Sequence, residues 1–175
     1  MKRLLVPVIA LVLLAACSRT PAVKKSIEKK SSNNSATNTE KESQKNKQSI
    51  SITFPLEEPG KTTVKKIVTT PTSEAVIKAL MSNSGKNGTA DLFPKGTKLL
   101  GAKTKKGIAY VNFNNAVTVN PGVGGEGEAA FLNSLVDSLT ELEGIKAVGL
   151  EAEGIPLEEL WGHFDISQPL KKGSI

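Results

Sequence analysis

The fold is decided at residues 128–150, which read EAAFLNSLVDSLTELEGIKAVGL. The first two-thirds of this stretch place apolar residues three or four positions apart, which is the spacing of one face of an amphipathic helix. That face consists of Phe131, Leu132, Leu135, Val136, Leu139 and Leu142. The pattern predicts a helix from Glu128 to Leu142 that stops at Gly144, because glycine readily adopts the left-handed conformation found after helices. The apolar run at 145–150 then predicts a buried strand.

Upstream of this helix, the sequence predicts four strands and one further helix. The strands are residues 51–54, 64–68, 99–104 and 108–113. The segment Thr70-Pro71-Thr72-Ser73-Glu74 has the capping hydroxyl, the proline and the early acid of a helix start. The last two strands flank Lys105-Lys106-Gly107 and are expected to form a hairpin. The order ββαββαβ predicts an α/β fold, namely a small two-layer sandwich with both helices on one face of a sheet.

The N-terminus has the features of a bacterial lipoprotein signal peptide. Lys2-Arg3 precede an apolar run from Leu4 to Leu14, which is shorter than the roughly 20 residues needed to span a bilayer. The quartet Leu14-Ala15-Ala16-Cys17 resembles a lipobox, which implies that residues 1–16 are removed and that Cys17 is diacylated. Membrane attachment would follow, since each buried acyl CH₂ group contributes about 0.8 kcal/mol. The alternatives are a secretory signal with an incidental cysteine and an N-terminal membrane anchor.

Residues 17–49 are expected to form a disordered, polar and basic tether ahead of a folded domain at residues 50–175. Ser, Thr, Asn, Gln and Lys make up 23 of the 32 residues from 18 to 49, and such a segment cannot bury enough apolar surface to offset its ordering entropy. A flexible chain of this length reaches on the order of 30 Å. Its positive charge would favour anionic lipid head groups or wall polymers. The alternative is a segment that only improves solubility.

Charge and composition argue against several classes of function. The whole chain has a formal net charge of +6, but this excess lies before residue 50, and residues 50–175 carry a net charge of −1. The folded part therefore lacks the basic excess of a nucleic-acid-binding domain. One cysteine and one histidine exclude a disulfide framework, a cysteine-built zinc or iron–sulfur site and a multi-histidine metal cage. We expect no nucleic-acid partner, no metal and no cofactor.

A glycine-rich segment resembles a nucleotide-binding motif. Residues 122–127 match G-x-G-x-x-G ahead of a helix, with Glu151 downstream where a ribose-binding acid would lie. About eight residues separate this segment from Phe113, whereas a dinucleotide fingerprint turns tightly out of its strand. Glu126 and Glu128 would also repel pyrophosphate, and they are expected to be ordinary acids of a first helical turn. The segment therefore predicts a flexible loop.

Two groups of residues resemble catalytic sites. His163 lies near Glu159 and Asp165, which would allow a base–orienter pair, but no nucleophile accompanies it. Trp161 and Phe164 are instead expected to cover the open end of the domain, with His163 at its edge. Six acids could suggest a carboxylate pair for glycan hydrolysis, but they fall on helix exteriors and turns. They are Glu141, Glu143, Glu151, Glu153, Glu158 and Glu159. We predict that the protein is not an enzyme.

The ordered set of segments resembles the GerMN domain, a module of sporulation and spore germination. The resemblance is carried by residues 136–148 (VDSLTELEGIKAV), 92–99 (LFPKGTKL) and 107–113 (GIAYVNF), and by the earlier helix with Ala75, Leu80 and Met81. It implies a non-enzymatic domain on the outer face of the bacterial cytoplasmic membrane. It also implies a fold similar to ring-building modules of envelope complexes, and hence an assembly role. The chain departs from the family by having one copy and by having Asn112 where an acid is common.

Two functions from different classes remain open. The first is a membrane-anchored interaction module whose partners are envelope or membrane proteins or a second copy of itself. The second is a lipoprotein that binds a wall fragment or small ligand, with Trp161 and Tyr110 as stacking groups. For the first function, the polar side of the long helix is the candidate interaction face, namely Asn133, Asp137 and Glu141. The hairpin edge from Lys103 to Lys106 and the other strand edges are also expected to be open to another chain.

The lipobox makes a direct prediction for Cys17→Ser. The variant should lack the lipid and accumulate as uncut precursor, because the thiol of Cys17 is the acylation site that processing requires. Gel mobility and membrane fractionation measure both effects. A variant that is cut normally and remains in the membrane fraction would show that the N-terminus is not a lipoprotein signal.

Overall fold

A computed structural model describes residues 46–175, so the predicted signal peptide, Cys17 and most of the predicted tether lie outside the described residues. The elements are β1 (Gln48–Pro55), β2 (Thr62–Thr69), α1 (Ser73–Asn83), β3 (Leu99–Lys105), β4 (Ile108–Phe113), a 3₁₀ turn (Asn115–Thr118), α2 (Gly125–Thr140), β5 (Ala147–Ala152) and β6 (Ile155–Pro156). The predicted order ββαββαβ is confirmed, and the short strand β6 follows it. The first strand begins two residues before the predicted domain boundary at residue 50.

The strands form two sheets, whereas the sequence predicted one. Strands β1 and β2 pair antiparallel along their full lengths, and the second sheet has the order β3-β4-β5-β6. Strands β3 and β4 form the predicted hairpin. Its turn residues, Lys106 and Gly107, have φ angles of 52° and 80°, as a two-residue turn between right-twisted strands requires. Strands β4 and β5 are parallel, so α2 is the crossover that joins them.

The core combines the inner faces of the strands with the apolar faces of both helices. All six residues predicted for the apolar face of the long helix are buried, and so are Ala109, Val111 and Phe113 of β4. The helix begins at Gly125, before its predicted start, and ends at Thr140. Leu142 still reaches the core, because its N–H donates to Leu139 O (3.1 Å) and turns the chain tightly after the helix.

Two strand edges that were expected to be open are closed by other parts of the chain. On β1, the N–H of Thr53 donates to Ser138 Oγ of α2 (3.1 Å). On β5, Val148 and Leu170 exchange two backbone hydrogen bonds (2.8 and 2.9 Å). The expectation of open edges is therefore wrong at these points of β1 and β5, because α2 and residues 157–175, which we call the C-terminal segment, supply the hydrogen-bond partners.

Candidate functional site

A cleft of about 710 Å³ runs beside helix α2, and we refer to it as the α2 cleft. Its helical lining extends from Gly124 to Asp137. The rest of the lining comes from the end of β1, the β1–β2 connection, residues 90–92, the loop before α2 and Trp161. Of the three residues predicted for the interaction face, Asn133 and Asp137 line this cleft.

Small residues of α2 form part of the cleft lining. Gly127, Ala130 and Ser134 line it, and their spacing of three and four places them on one side of the helix. Gly127 is also required for packing, because a Cβ at this position would lie 2.5 Å from the Cβ of Val123. The N–H of Val123 donates to Asn120 Oδ1 (3.1 Å). The loop before α2 is thereby fixed against the backbone of the helix.

The G-x-G-x-x-G segment at residues 122–127 supplies this packing. Gly122 has a φ of 86°, which glycine adopts without strain. Gly127 has no side chain, so the side chain of Val123 can pack against its backbone. Glu126 is exposed in the first turn of α2, so the expectation of an ordinary first-turn acid is confirmed for Glu126. The same expectation is wrong for Glu128, whose side chain is completely buried.

Glu128 fixes the segment at residues 161–163 to the start of α2. Its Oε1 accepts a hydrogen bond from the N–H of Trp161 (3.3 Å), and its Oε2 accepts one from the N–H of His163 (3.1 Å). The Oε2 atom also lies 2.8 Å from Nδ1 of His163. Because a carboxylate can only accept, Nδ1 is the nitrogen that carries the hydrogen. These three hydrogen bonds, together with the positive end of the helix dipole, compensate for the loss of water around the carboxylate.

Sequence reasoning missed Glu128, although its position carried a signal. Residue 128 precedes Phe131 and Leu135 by three and seven positions, so it falls on the apolar face of the helix. An acid on that face must be buried with partners or must distort the packing. The partner segment lies more than 30 residues further along the chain, and no local pattern points to it.

His163 therefore pairs with Glu128, and neither Glu159 nor Asp165 orients its ring. Its side chain is 39% exposed, which agrees with the expected place at the edge of the domain. Asp165 instead accepts the N–H of Ser167 (2.9 Å). A hydrogen bond from the Ser167 side chain, and then the one from its backbone N–H, lower the pKa of Asp165. These residues shape the C-terminal segment.

The sequence allows two roles for Trp161, namely covering the open end of the domain or stacking on a ligand, and the structure shows the covering role. Its side chain is almost completely buried, its Nε1–H donates to Val117 O (2.9 Å), and its ring centroid lies 5.1 Å from that of Phe131. The second predicted stacking group, Tyr110, lies against Gly149, where a Cβ would come within 2.9 Å of the tyrosine ring. Tyr110 is not part of the α2 cleft lining. The structure therefore does not bring the two aromatic residues together.

The predicted interaction face is divided in the structure. Asn133 and Asp137 are half-buried in the α2 cleft, whereas Glu141 is exposed beside a second depression of about 760 Å³. Lys172 lies 3.9 Å from Asp137 and 3.6 Å from Glu141, and its side chain is 62% exposed. Such exposed pairs contribute about 1 kcal/mol or less. Lys103 to Lys106 are exposed on the β3–β4 hairpin, outside the cleft lining.

The remaining polar residues that the sequence analysis considered lie at or near the surface of the domain. Of the six acids weighed for glycan hydrolysis, Glu151 is partly buried and the other five are exposed. Asn112 Oδ1 accepts the N–H of Gly154 (2.8 Å), which is an acceptor role that a carboxylate could also fill. Within residues 46–175, no three His, Cys, Asp or Glu side chains are grouped as metal ligands. No helix of this part of the chain is both long and apolar enough to cross a membrane.

Comparison with known families decides the identity of the fold. The Germane family, described as sporulation and spore germination, matches residues 27–158. The chain belongs to this family. The GerMN resemblance of the sequence is thereby confirmed. A comparison of the Germane chain with curated proteins finds no match.

Solved structures with similar folds include the following three. A candidate lipoprotein from Clostridium perfringens is 27% identical, with a TM-score of 0.53, and the match covers 72% of this chain and 88% of that one. The first GerMN domain of the sporulation protein GerM from Bacillus subtilis is 24% identical, with a TM-score of 0.56 and coverages of 71% and 97%. The tandem GerMN domains of GerM are 21% identical, with a TM-score of 0.57 and coverages of 71% and 46%. The Germane chain thus spans about half of the tandem protein and nearly all of the single domain.

The buried carboxylate makes a prediction about stability. Glu128→Ala should lower the free energy of unfolding by about 2–4 kcal/mol, because the N–H groups of Trp161 and His163 lose a charged acceptor. Glu126→Ala is the matched control, since it removes an exposed acid from the same turn and should cost under about 0.5 kcal/mol. Urea unfolding of both variants, followed by the fluorescence of the single tryptophan, measures the difference. Equal stabilities would contradict the assigned role of Glu128.

Proposed function

We propose that this Germane chain is an extracytoplasmic lipoprotein, attached through Cys17 to the outer face of the bacterial cytoplasmic membrane. Its domain would act as an interaction or scaffold module in sporulation, germination or envelope assembly, and it would not catalyse a reaction. The observation that carries the proposal is the α2 cleft, which is an open and partly apolar surface on a domain of this family. Family membership supports the setting in sporulation or germination.

Support for the lipid anchor comes from the sequence and from one similar structure. Leu14 to Cys17 resemble a lipobox, and the polar composition that follows suits a spacer between a membrane and a domain. The similar structure from Clostridium perfringens is described as a candidate lipoprotein. An anchored domain with an open cleft is suited to binding a protein in or near the membrane.

Support for a binding role rather than a catalytic one comes from the histidine–carboxylate pair at the start of α2. The ring of His163, the single histidine, is hydrogen-bonded to Glu128, and Glu128 is also bonded to two backbone N–H groups. General acid–base catalysis requires a proton-transferring group within reach of a bound substrate. Both groups instead stabilise the C-terminal segment.

A second candidate function is a lipoprotein that binds a small ligand or wall fragment. The observation that favours it is the volume of the α2 cleft, which lies within the roughly 300–1,000 Å³ of typical ligand sites. A saturable thermal shift with wall fragments, without any protein adduct at the cleft, would favour this function over the first.

The interaction function predicts a specific protein contact at the α2 cleft. A photo-crosslinking amino acid in place of Asn133 should give one discrete protein adduct when the full chain is irradiated in its native membranes. Asp137→Asn with Glu141→Gln should reduce the adduct yield severalfold. Their effect on stability should stay under about 0.5 kcal/mol each, because the pairs with Lys172 are exposed and weak.

The control for this experiment removes two charges elsewhere. Glu158→Gln with Glu159→Gln changes exposed acids outside the cleft lining and should leave the adduct yield unchanged. The proposed contact fails if no protein adduct forms from position 133. It also fails if both double variants give the wild-type yield.

A further inference from the structure

The length of the α2 cleft indicates the shape of its occupant. Its helical lining runs from Gly124 to Asp137, which corresponds to about 20 Å at 1.5 Å per residue. An extended peptide covers this distance with about six residues, at roughly 3.3 Å each. A compact small molecule would fill only part of it. The dimensions therefore favour an extended chain segment.

The middle of the cleft is lined by short apolar side chains. Ala129 and Ala130 are partly exposed on the helix, and Leu56 and Leu92 add apolar lining from the other elements. Contacts of this kind bury the apolar stems of side chains without selecting their charged ends. Selectivity must come from the polar groups along the cleft.

Those polar groups are mostly acidic. Four carboxylate residues line the cleft, namely Glu57, Asp91, Glu126 and Asp137, with Lys61 as the single basic residue of the lining. Lys61 lies 2.6 Å from Glu58, and Asp137 lies 3.9 Å from Lys172, so each sign loses one charge to a neighbour outside the lining and the acidic excess remains. Residues 46–175 contain equal numbers of basic and acidic residues, so the acidic excess is a local property of the cleft. Charge complementarity therefore selects a basic occupant.

The first turn of α2 adds hydrogen-bond donors at one end of the cleft. Gly124, the N-cap residue, provides no side-chain acceptor, whereas α1 is capped by Thr72 Oγ1, which accepts the N–H of Ala75 (3.3 Å). The first N–H groups of an α-helix have no acceptor within the helix. Residues 125–127 line the cleft, and we infer that their N–H groups donate to backbone carbonyl groups of an occupant. A peptide offers both carbonyl acceptors and cationic side chains, whereas a simple cation offers only charge.

We propose that the α2 cleft binds an extended, lysine- or arginine-containing segment of a partner protein. The basic side chains pair with the four carboxylates, and the backbone carbonyls accept from the first turn of α2. Glu126 and Asp137 are about 16 Å apart along the helix axis, so basic residues four or six positions apart, which share one face of an extended segment, can reach both. This inference rests on the proposed interaction function and names the chemistry of its partner.

The test measures binding of a defined peptide to the purified full chain in detergent. The probe is a fluorescent ten-residue peptide of alternating lysine and alanine, and its anisotropy should rise saturably with protein concentration. Asp91→Asn with Asp137→Asn should weaken binding roughly tenfold, because two charge-assisted contacts are lost. Glu158→Gln with Glu159→Gln removes the same net charge outside the cleft and should change the affinity less than about twofold.

Two further measurements separate the site from general electrostatic attraction. Ala130→Lys places a cation inside the cleft and should abolish binding, while circular dichroism checks that the variant is folded. A peptide of alternating glutamate and alanine should not bind. If both double variants lose affinity equally, or if the lysine peptide shows no saturable binding, the basic-segment proposal is overturned. The proposed function would still stand in that case if the photo-crosslinking residue at position 133 gave its protein adduct.

Discussion

The hydrogen bonding of the buried carboxylate of Glu128 is the interaction on which the C-terminal segment, residues 157–175, depends. It lies in the first turn of α2 and accepts three hydrogen bonds from Trp161 and His163. After the cost of burying the carboxylate, its net contribution is about 2–4 kcal/mol, while the whole domain is expected to be stable by only about 5–15 kcal/mol. Glu128 thus accounts for a substantial part of the stability, and it holds residues 161–163 of the C-terminal segment at the first turn of α2.

The position of this segment determines which surfaces remain open. Trp161 packs against Phe131 and lines the α2 cleft. Further along, Leu170 pairs with Val148 and closes part of the β5 edge, and Lys172 lies beside the carboxylates of α2. The C-terminal segment therefore closes a strand edge and borders the acidic side of α2. The cleft between α2 and the β1–β2 connection is left as the surface best suited to a partner.

Much of the fold could be predicted because local patterns reflect it directly. The spacing from Phe131 to Leu142 predicts the buried face of α2, and Lys106-Gly107 has the turn residues that a hairpin needs. The two-sheet arrangement could not be predicted, because pairing between strands distant in the sequence is set by packing and leaves no local pattern. The division of the Asn133, Asp137 and Glu141 face also could not be predicted. It depends on the two depressions that border α2, which are formed with elements distant in the sequence. Glu128 is an intermediate case. The sequence shows its place on the apolar face of the helix, but no local pattern identifies Trp161 and His163 as its partners.

Amide hydrogen exchange is the measurement that tests the role of Glu128 most directly. In the wild-type chain, the amides of Trp161 and His163 should be protected to a degree comparable with that of Val148 in β5, because each donates to a buried acceptor. In Glu128→Gln, only one side-chain oxygen remains to accept, so it can serve Trp161 or His163 but not both. At least one of these two amides should therefore lose most of its protection, while Val148 retains its own. Rapid exchange of both amides in the wild type, or unchanged protection of both amides in the variant, would contradict the central role of this carboxylate.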